Sequence, residues 1–470
     1  MAEESKEEKS YMVGDINDMF IDVCDRLKPV ELNQLEAGLL KAYLQKPDFK
    51  DKVHEMLLKV RARHEEDPYY QKRVDKVLPL FREHDFWSHQ PVPKYFDAVT
   101  ENQFNAPLEI KDVSEVQPEP LKLPEGYEWQ VLDLNDDATA QQLYELLTKH
   151  YVEDSEGKFR FDYSIDFLRW ALAPPDNFED WNIAVSSKGK LYGFISAIPV
   201  TMVVNGELIK MAEVNFLCVH KQIRDRRLAP ILIKEITRRV NLRNMWQAIY
   251  TSGTTLFTPY SVAPYWHRNL NPEKLVEVSF AFKPQGMDMA KFKKKHRLPA
   301  ETNTEGLRPM VEADIPKVTY ALNKHLSENY AVHIQFNEAE VAHFLLPKEN
   351  VVYSWLVEDE HTGEVSDFIS HYVLNSSVLQ DPKYDKIYAA YAYYNFAKDN
   401  SKERLKMLMK DNLILAKNNK FDVFNMTEVL KHNLLNEELM FKPGDGRLAH
   451  YFYNWRIKMI ESNEIGIVLV

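Results

Sequence analysis

A cluster of basic residues between a buried strand and a long helix is the feature of this sequence best suited to chemistry. Apolar and β-branched residues predict a strand at 211–220, followed by a loop at 221–228 and an amphipathic helix that opens near Ala229. Pro230 suits the first helical turn, where its missing N–H has no partner to lose. Four cations lie in the loop: Lys221, Arg224, Arg226 and Arg227. Beside the free N–H groups of a helix start they predict a site for a phosphate-bearing ligand, with a solvated basic loop as the alternative.

The composition is that of an ordinary globular protein. The 470 residues are 45% hydrophobic and 28% charged, and this length is enough for one large core or for two to three domains. Two cysteines, Cys24 and Cys218, imply no disulfide framework and favour a reducing compartment. The sequence shows no apolar signal region and no membrane-spanning run, so a soluble, cytoplasmic protein is expected. The net charge of −12 disfavours nucleic acid as the main partner and suits basic peptides.

The chain divides into four parts by pattern. Residues 1–80 read as a charged tail and a helical appendage, and residues 81–124 as a docking arm and a linker. Residues 125–300 and 301–470 are two alternating α/β segments. Four short matches recur in the same order, about 174 to 180 positions apart, which indicates an internal duplication. The matches begin at Glu125 and Glu305, Phe194 and Phe368, Asn215 and Asn395, and Arg227 and Arg404.

The basic loop closely resembles a signature of the glycylpeptide N-tetradecanoyltransferases (N-myristoyltransferases), written Arg-x-x-Arg-x-Ala-Pro. Arg224, Arg227, Ala229 and Pro230 match it, whereas Asp225 stands where the family usually has Ser. The resemblance runs from Phe86 to Val470. It implies an α/β (α+β) fold of two tandem acetyltransferase-superfamily halves that form one pseudo-symmetric catalytic unit. The first half would bind acyl-CoA, and the second would supply the peptide groove and a catalytic C-terminus.

The resemblance also implies the activity. A myristoyl group would pass from myristoyl-CoA, the co-substrate, to the N-terminal glycine amine of nascent or cleaved proteins. The attack would be direct, with no metal, no permanent cofactor and no covalent intermediate, and a monomer is expected. The residues that would bind the acyl-CoA are Asp85, Phe86, Trp87, Phe216, Leu217, Cys218, Val219, Arg224, Asp225, Arg226, Arg227, Leu228, Ala229 and Pro230.

Acyl transfer to an amine needs donors for the carbonyl oxygen, a base for the amine and an orienting contact. The resemblance assigns the backbone N–H groups of Phe216 and Leu217 to the oxygen, and Asn215 and Thr251 to the amine. It assigns the terminal carboxylate of Val470 to the base. The apolar ending NEIGIVLV favours a buried end, since most chain ends are polar. Without the resemblance, a final strand whose end only reaches the surface is the alternative.

Further positions match the peptide groove of the family. They are Tyr151, Phe159, Phe161, Tyr163, Tyr265, His267, Phe280, Tyr372, Ser376, Tyr391 and Asp445. A covalent route through Cys218 and His220, two apart on one strand, is a competing mechanism. Two other functions stay open: an N-acyltransferase of the same superfamily that uses a shorter acyl chain, and a non-catalytic acyl-CoA-binding scaffold.

Overall fold

The structure is a computed structural model that describes residues 84–94, 100, 103–154, 156–254 and 256–470, with 54, 55, 57–59, 61 and 62. The chain forms two compact units. One comprises 1–101 and 255–259, and the other comprises 102–254 and 260–470. The helical region predicted within 1–80 lies outside the described residues, except for those between 54 and 62, which are helical. The boundaries between the four parts predicted from the sequence stay a prediction.

The larger unit is a mixed α/β fold. Its helices are α1 (Asp137–His150), α2 (Ile165–Leu172), α3 (Leu228–Leu242), α4 (Pro272–Glu277), α5 (Met289–Lys295), α6 (Ile315–Asn329), α7 (Glu338–Leu345) and α8 (Lys402–Asn418). The strands of its first half are β1 (Glu128–Val131), β2 (Phe159–Asp162), β3 (Ile183–Ser187), β4 (Lys190–Val204), β5 (Glu207–Val219), β6 (Ala248–Ser252) and β7 (Ser261–Asn269). The remaining strands are β8 (Arg308–Pro309), β9 (Val332–Ile334), β10 (Val352–Glu358), β11 (Val365–Val373), β12 (Asn375–Val378), β13 (Lys386–Ile387), β14 (Ala389–Ala392), β15 (Phe396–Ala397), β16 (Val423–Thr427), β17 (Lys442–Tyr453) and β18 (Ile465–Gly466).

One large sheet joins both halves of this unit. Its order in the described residues is β1-β3-β4-β5-β6-β17-β7-β16-β14-β11-β10-β8. Read from the other end, the order places β8, β10, β11, β14, β16 and β7 where the first half has β1, β3, β4, β5, β6 and β17. The pairs β5–β6 and β14–β16 are both parallel. This two-fold pattern confirms the predicted fold class of two tandem α/β halves.

A long strand of each half crosses to the other half. Strand β17 lies between β6 and β7, and β7 lies between β17 and β16. Because each half completes the sheet of its partner, the two halves share one hydrogen-bonded layer. A second sheet, β13-β12-β2, also joins residues of both halves.

Local sequence explains the long hairpin at the centre of the first half. Asn205 and Gly206 lie between β4 and β5 with φ of 48° and 86°, the left-handed backbone that a tight hairpin turn requires. Helix α3 packs against this hairpin at Gly193, where a Cβ atom would come within 2.8 Å of Leu228 Cδ2. The absence of a side chain at Gly193 therefore lets the start of α3 approach the sheet closely.

A buried polar network stabilises the second half. His371 Nδ1 lies 2.6 Å from Oδ1 of Asn412, and Asn412 donates to the Ser370 carbonyl and to Asn395 Oδ1. His371 is fully buried, and burial lowers its pKa to about 4. Burial lowers the pKa of His432 to about 4 as well.

We expect acid to destabilise the protein through these buried histidines. The unfolded chain, with a histidine pKa near 6.5, binds more protons than the folded chain between about pH 6.5 and pH 4, so stability is lost as the pH falls through that window. Urea unfolding at pH 7 and pH 5 should show that His371→Gln is less sensitive to acid than the unchanged protein by about 1–2 kcal/mol. The exposed His361→Gln serves as the control. Equal sensitivity of all three proteins would contradict the expectation.

Candidate active site

Strand β5 carries a bulge at Phe216 and Leu217. Its register with β4 pairs Asn215 with Ser196 and then Cys218 with Phe194, so two residues of β5 oppose one of β4. Phe216 has a φ of 57°, an unusual left-handed conformation for a bulky residue. The regular ladder between β4 and β5 is thereby interrupted at these two residues.

The bulge changes which side chains of β5 face the site. Before it, Ala212 and Val214 pack into the core under α3; after it, Leu217 and Val219 do so. Phe216 instead joins the main core on the opposite face. Because the alternation slips by one residue, the neighbours Asn215 and Phe216 lie on the same face of the strand.

An aromatic cluster surrounds Phe216. The Phe216 ring lies 5.1 Å from the ring of Tyr163 and 5.8 Å from that of Tyr151. Burial raises the pKa of the Tyr151 hydroxyl, and the Phe216 backbone N–H interacts with that hydroxyl and opposes the rise. The amide at the bulge therefore points toward a polar group on this face.

The structure brings the predicted peptide-binding residues together around this cluster. Phe161 packs edge-to-face against Tyr163 and Tyr391, and Tyr391 stacks on Tyr372. Ser376 is the strand partner of Phe161. The Phe280 ring contacts the rings of Phe159 and His267. Tyr265 interacts electrostatically with four other tyrosines: Tyr151, Tyr163, Tyr372 and Tyr391.

A second bulge brings Asp445 to His267. The register of β17 with β7 shifts between Pro443 and Arg447, which leaves Gly444-Asp445-Gly446 outside the ladder. A Cβ atom at Gly444 would clash with the His267 ring, so glycine allows this close approach. Burial lowers the pKa of His267, while Asn425 and Asp445 act to raise it.

The basic loop forms two short 3₁₀ turns from Lys221 to Arg226 that meet at a kink at Ile223, followed by Arg227 with a φ of 54° and then by α3. Two backbone carbonyls hold the Arg224 side chain in place. Its Nε donates to the Val219 carbonyl at 3.1 Å, and its Nη2 donates to the His150 carbonyl. Lys221 Nζ pairs with Glu153 at 2.9 Å. In the described residues Asp225 forms no ion pair. The predicted loop is thus present, and α3 begins at Leu228, one residue before the predicted start.

Two imidazole rings in close contact lie beside the basic loop. The ring centroids of His150 and His220 are 3.8 Å apart. Burial, together with the nearby His220, Lys190, Lys221 and Arg224, lowers the pKa of His150 to about 4. Burial and the nearby cations favour the neutral form of both rings. A bound anion would offset the positive charge of those cations.

The tail after β17 turns into the molecule. Ile465 and Gly466 pair with β9, and the Leu430 N–H donates to the Ile465 carbonyl at 3.0 Å. The Val468 N–H donates to the Tyr394 hydroxyl at 3.4 Å. Leu469 is buried, and Val470 is partly buried against the same main core that contains Phe216. The apolar ending is therefore packed, as the sequence predicts.

The amine-orienting candidates lie on two adjacent strands. Asn215 donates from Nδ2 to Glu213 Oε1 at 2.7 Å. Thr251 lies on β6, a strand that pairs with β5, and is partly buried opposite His450 of β17.

The residues for the covalent alternative are unsuited to it. Burial raises the pKa of the Cys218 thiol to about 12, which leaves it protonated near neutral pH. His220 Nδ1 accepts a hydrogen bond from the Gln222 N–H at 3.3 Å and forms none with the thiol.

The predicted docking arm lies in the smaller unit. Trp87 begins a short 3₁₀ turn, its ring lies 4.9 Å from that of Phe86 and 5.0 Å from that of Phe257, and Phe86 and Trp87 are both buried. Asp85 precedes this turn and uses its carbonyl to contact His89. The acyl-CoA role of Asp85, Phe86 and Trp87 stays a prediction.

Sequence reasoning missed two residues of this region, Glu213 and Asn425. Asn425 Oδ1 lies 2.7 Å from Nδ1 of His267, and Asn425 also interacts with the Tyr391 hydroxyl. A signal for Glu213 was present, because an acid within an apolar strand and two residues before Asn215 must share its face. Asn425 lies within the second-half strand β16, and its sequence gives no comparable signal.

Comparison with known proteins gives a consistent result. Residues 107–263 match the family described as "Myristoyl-CoA:protein N-myristoyltransferase, N-terminal domain", and residues 277–468 match its C-terminal domain. The chain is 46% identical over 403 residues to glycylpeptide N-tetradecanoyltransferase 1 of Arabidopsis thaliana, covering 85% of this chain and 92% of that protein. It is 44% identical over 390 residues to the Plasmodium falciparum glycylpeptide N-tetradecanoyltransferase, covering 83% of this chain and 94% of the relative.

A solved structure agrees with the sequence matches. A crystal structure of Saccharomyces cerevisiae N-myristoyltransferase with bound myristoyl-CoA is similar to this chain with a TM-score of 0.79 and 36% identity, covering 82% of this chain and 94% of that one. The fold and the site define an acyltransferase. The chain belongs to the myristoyl-CoA:protein N-myristoyltransferase family, which confirms the resemblance seen in the sequence.

No helix among the residues with described structure combines the length and the apolar character that crossing a membrane requires.

Proposed function

We propose that this protein transfers a myristoyl group from myristoyl-CoA to the N-terminal glycine amine of proteins. The observation that carries the proposal is the β5 bulge, which turns Phe216 and its amide toward the aromatic cluster of predicted peptide-binding residues. The family matches support the same reaction.

The basic loop would hold the coenzyme A phosphates. Arg224 and Arg227 flank the start of α3, whose free N–H groups attract anions. The neutral His150 and His220 lie beside them among cations. Negative charge on a ligand would be favourable at this end of the strand, and the remainder of the acyl-CoA would follow β5 at Cys218 and Val219.

The β5 bulge would stabilise the transition state. As the glycine nitrogen attacks the thioester carbonyl, a C–N bond forms and negative charge develops on the carbonyl oxygen. The backbone N–H groups of Phe216 and Leu217 would donate to that oxygen. The C–S bond then breaks, and coenzyme A leaves as the thiol after taking up a proton.

The terminal carboxylate of Val470 would take the amine proton. An α-amino group has a pKa of about 7.7–8.0, so much of it is protonated at neutral pH and cannot attack. The packing of Leu469 and Val470 against the core that contains Phe216 supports a carboxylate carried inward. Asn215 and Thr251 would orient the amine. The protonated Cys218 thiol favours direct attack over an acyl-enzyme.

The aromatic cluster would receive the N-terminal segment of the peptide. Its members are Tyr151, Phe159, Phe161, Tyr163, Tyr265, His267, Phe280, Tyr372, Ser376, Tyr391 and Asp445. Nascent or cleaved proteins that begin with glycine would be the partners. A cytoplasmic location and a monomeric state complete the proposal, and the free Cys218 thiol fits a reducing compartment.

Mass spectrometry of a glycine-initiated peptide incubated with the purified protein and myristoyl-CoA tests the reaction. We expect the peptide to gain one myristoyl group at its N-terminus, and the same peptide beginning with alanine should remain unmodified. Replacing myristoyl-CoA with acetyl-CoA tests the alternative that the protein uses a shorter acyl chain. Product with acetyl-CoA alone would indicate a short-chain acyltransferase. Tight binding of myristoyl-CoA without product would indicate a scaffold.

A further inference from the structure

Glu213 is a buried acid that the reaction described above does not use. Its side chain is 6% exposed, and it lies on β5 two residues before Asn215. Its strand partners are the apolar Ile198 on β4 and Ile249 on β6. No lysine, arginine or histidine pairs with it in the part of the chain that the structure describes. A buried carboxylate without a cation is costly, so its presence beside the reaction centre calls for a role.

The one hydrogen bond described for Glu213 is with Asn215. Asn215 Nδ2 donates to Glu213 Oε1 at 2.7 Å. A carboxylate can only accept, so it selects the orientation in which the amide nitrogen faces Glu213. The amide oxygen of Asn215 then faces away from Glu213 and is free to accept.

An acceptor is what the substrate amine requires. An ammonium group has only donors, and the neutral amine must keep its lone pair for the thioester, so both present N–H groups to an orienting contact. Asn215 serves this purpose only with its oxygen toward the amine. A protonated Glu213 could donate to that oxygen and stabilise the reversed amide, which would present donors to the amine.

We propose that Glu213 is a positioning residue for acyl transfer: its carboxylate fixes the amide of Asn215 with the oxygen toward the substrate amine, and its protonation releases that orientation. This inference rests on the proposed function, and it adds a second ionisable group to the site.

The surroundings of Glu213 shift its titration into the near-neutral pH range. Burial raises the pKa of Glu213 to about 7, and the Asn215 hydrogen bond limits the rise. The titratable groups that interact with its charge are Tyr260 before β7 and Tyr393 and Tyr394 between β14 and β15. Tyr260 is buried, and its hydroxyl has no hydrogen-bond partner among the described residues. Tyr394 also accepts the N–H of Val468, which connects this polar cluster to the tail.

The test is a pH series of single-turnover rates with the preformed myristoyl-CoA complex and excess glycine-initiated peptide. Glu213→Gln mimics the protonated acid at every pH. We expect it to be slower than the unchanged protein by about 10- to 100-fold at pH 8, the usual cost of a misoriented contact, and by only about 2- to 10-fold at pH 6, where Glu213 of the unchanged protein is mostly protonated. Because both proteins use the same peptide, the titration of the amine itself cancels in the ratio of their rates.

A double-mutant cycle checks that Glu213 acts through Asn215. In an Asn215→Ala background, Glu213→Gln should cause no further loss of rate. Glu207→Gln, at the exposed start of the same strand, is the matched control and should leave the rate unchanged. Calorimetric titration with myristoyl-CoA and a thermal melt verify that each variant is folded; an amide at position 213 avoids the cost of a buried charge.

The outcomes are distinct. A rate ratio that is the same at pH 6 and pH 8, or full additivity with Asn215→Ala, would overturn the positioning role while leaving the proposed reaction intact. Absence of product from the unchanged protein at every pH would instead overturn the proposed function.

Discussion

Extending the chain by a few residues beyond Val470 is expected to leave substrate binding intact and to slow acyl transfer by about 10²–10⁴-fold, the usual span for losing a positioned base. The extension keeps every side chain of the tail but replaces the terminal carboxylate with a neutral peptide bond. The strand pairing of Ile465 and Gly466 and the bond from Val468 to Tyr394 precede the end and can persist.

The pH dependence separates chemistry from structure. Without the base, the extended protein should recover part of its rate as the pH rises from 6 to 9, because more of the peptide amine is then neutral unaided. Single-turnover rates across this range measure it. Val470→Ala is the matched control, since it changes the side chain and keeps the carboxylate. An extended protein with unchanged chemistry would show that the base lies elsewhere.

The sequence predicts much of this site because its signals are local. The strand, basic loop and helix around Arg224 follow from the spacing of apolar residues, cations and Pro230. The structure begins β5 four residues earlier than predicted, ends it one residue earlier, and begins α3 one residue earlier. The packed tail follows from its lack of polar residues. The duplication was visible in short repeated matches, because each half retains the same strand and loop positions.

Other features depend on contacts between distant parts of the chain and were invisible in the sequence. Apolar alternation in β5 does not indicate that Asn215 and Phe216 share a face, because the bulge is a matter of register with β4. The exchange of β7 and β17 between the halves is likewise set by tertiary pairing. The neighbourhood of Asn425, His267 and Asp445 depends on that exchange.

The Arg224 contacts change what a substitution in the basic loop would do. Arg224 holds the loop through two backbone carbonyls, so removing it disturbs geometry as well as charge. Arg227 adopts a left-handed backbone, so Arg227→Gly removes its charge without adding strain. These two positions therefore need different substitutions.

Combining Arg224→Ala with Arg227→Gly is expected to weaken myristoyl-CoA binding by about 10²–10⁴-fold, because each charge-assisted contact to a phosphate contributes about 1.5–3 kcal/mol. The single variants should each lose about 10- to 100-fold, and any departure of the double variant from the product of these losses would measure the coupling between the two neighbouring positions. Isothermal titration with myristoyl-CoA at low and moderate salt measures the loss, which should shrink as salt screens the phosphates. Arg243→Ala, just beyond the far end of α3 where it pairs with Asp180, is the control and should bind normally.

Asp225→Ser should have the opposite effect on myristoyl-CoA binding from the arginine variants. The carboxylate of Asp225 has no cationic partner in the described structure and lies between Arg224 and Arg226, so it opposes the approach of a phosphate. Its removal should tighten myristoyl-CoA binding a few-fold, with the larger gain at low salt. Unchanged affinity in both the double arginine variant and Asp225→Ser would remove the basic loop from the acyl-CoA site, and the phosphates would then have to be held by other cations.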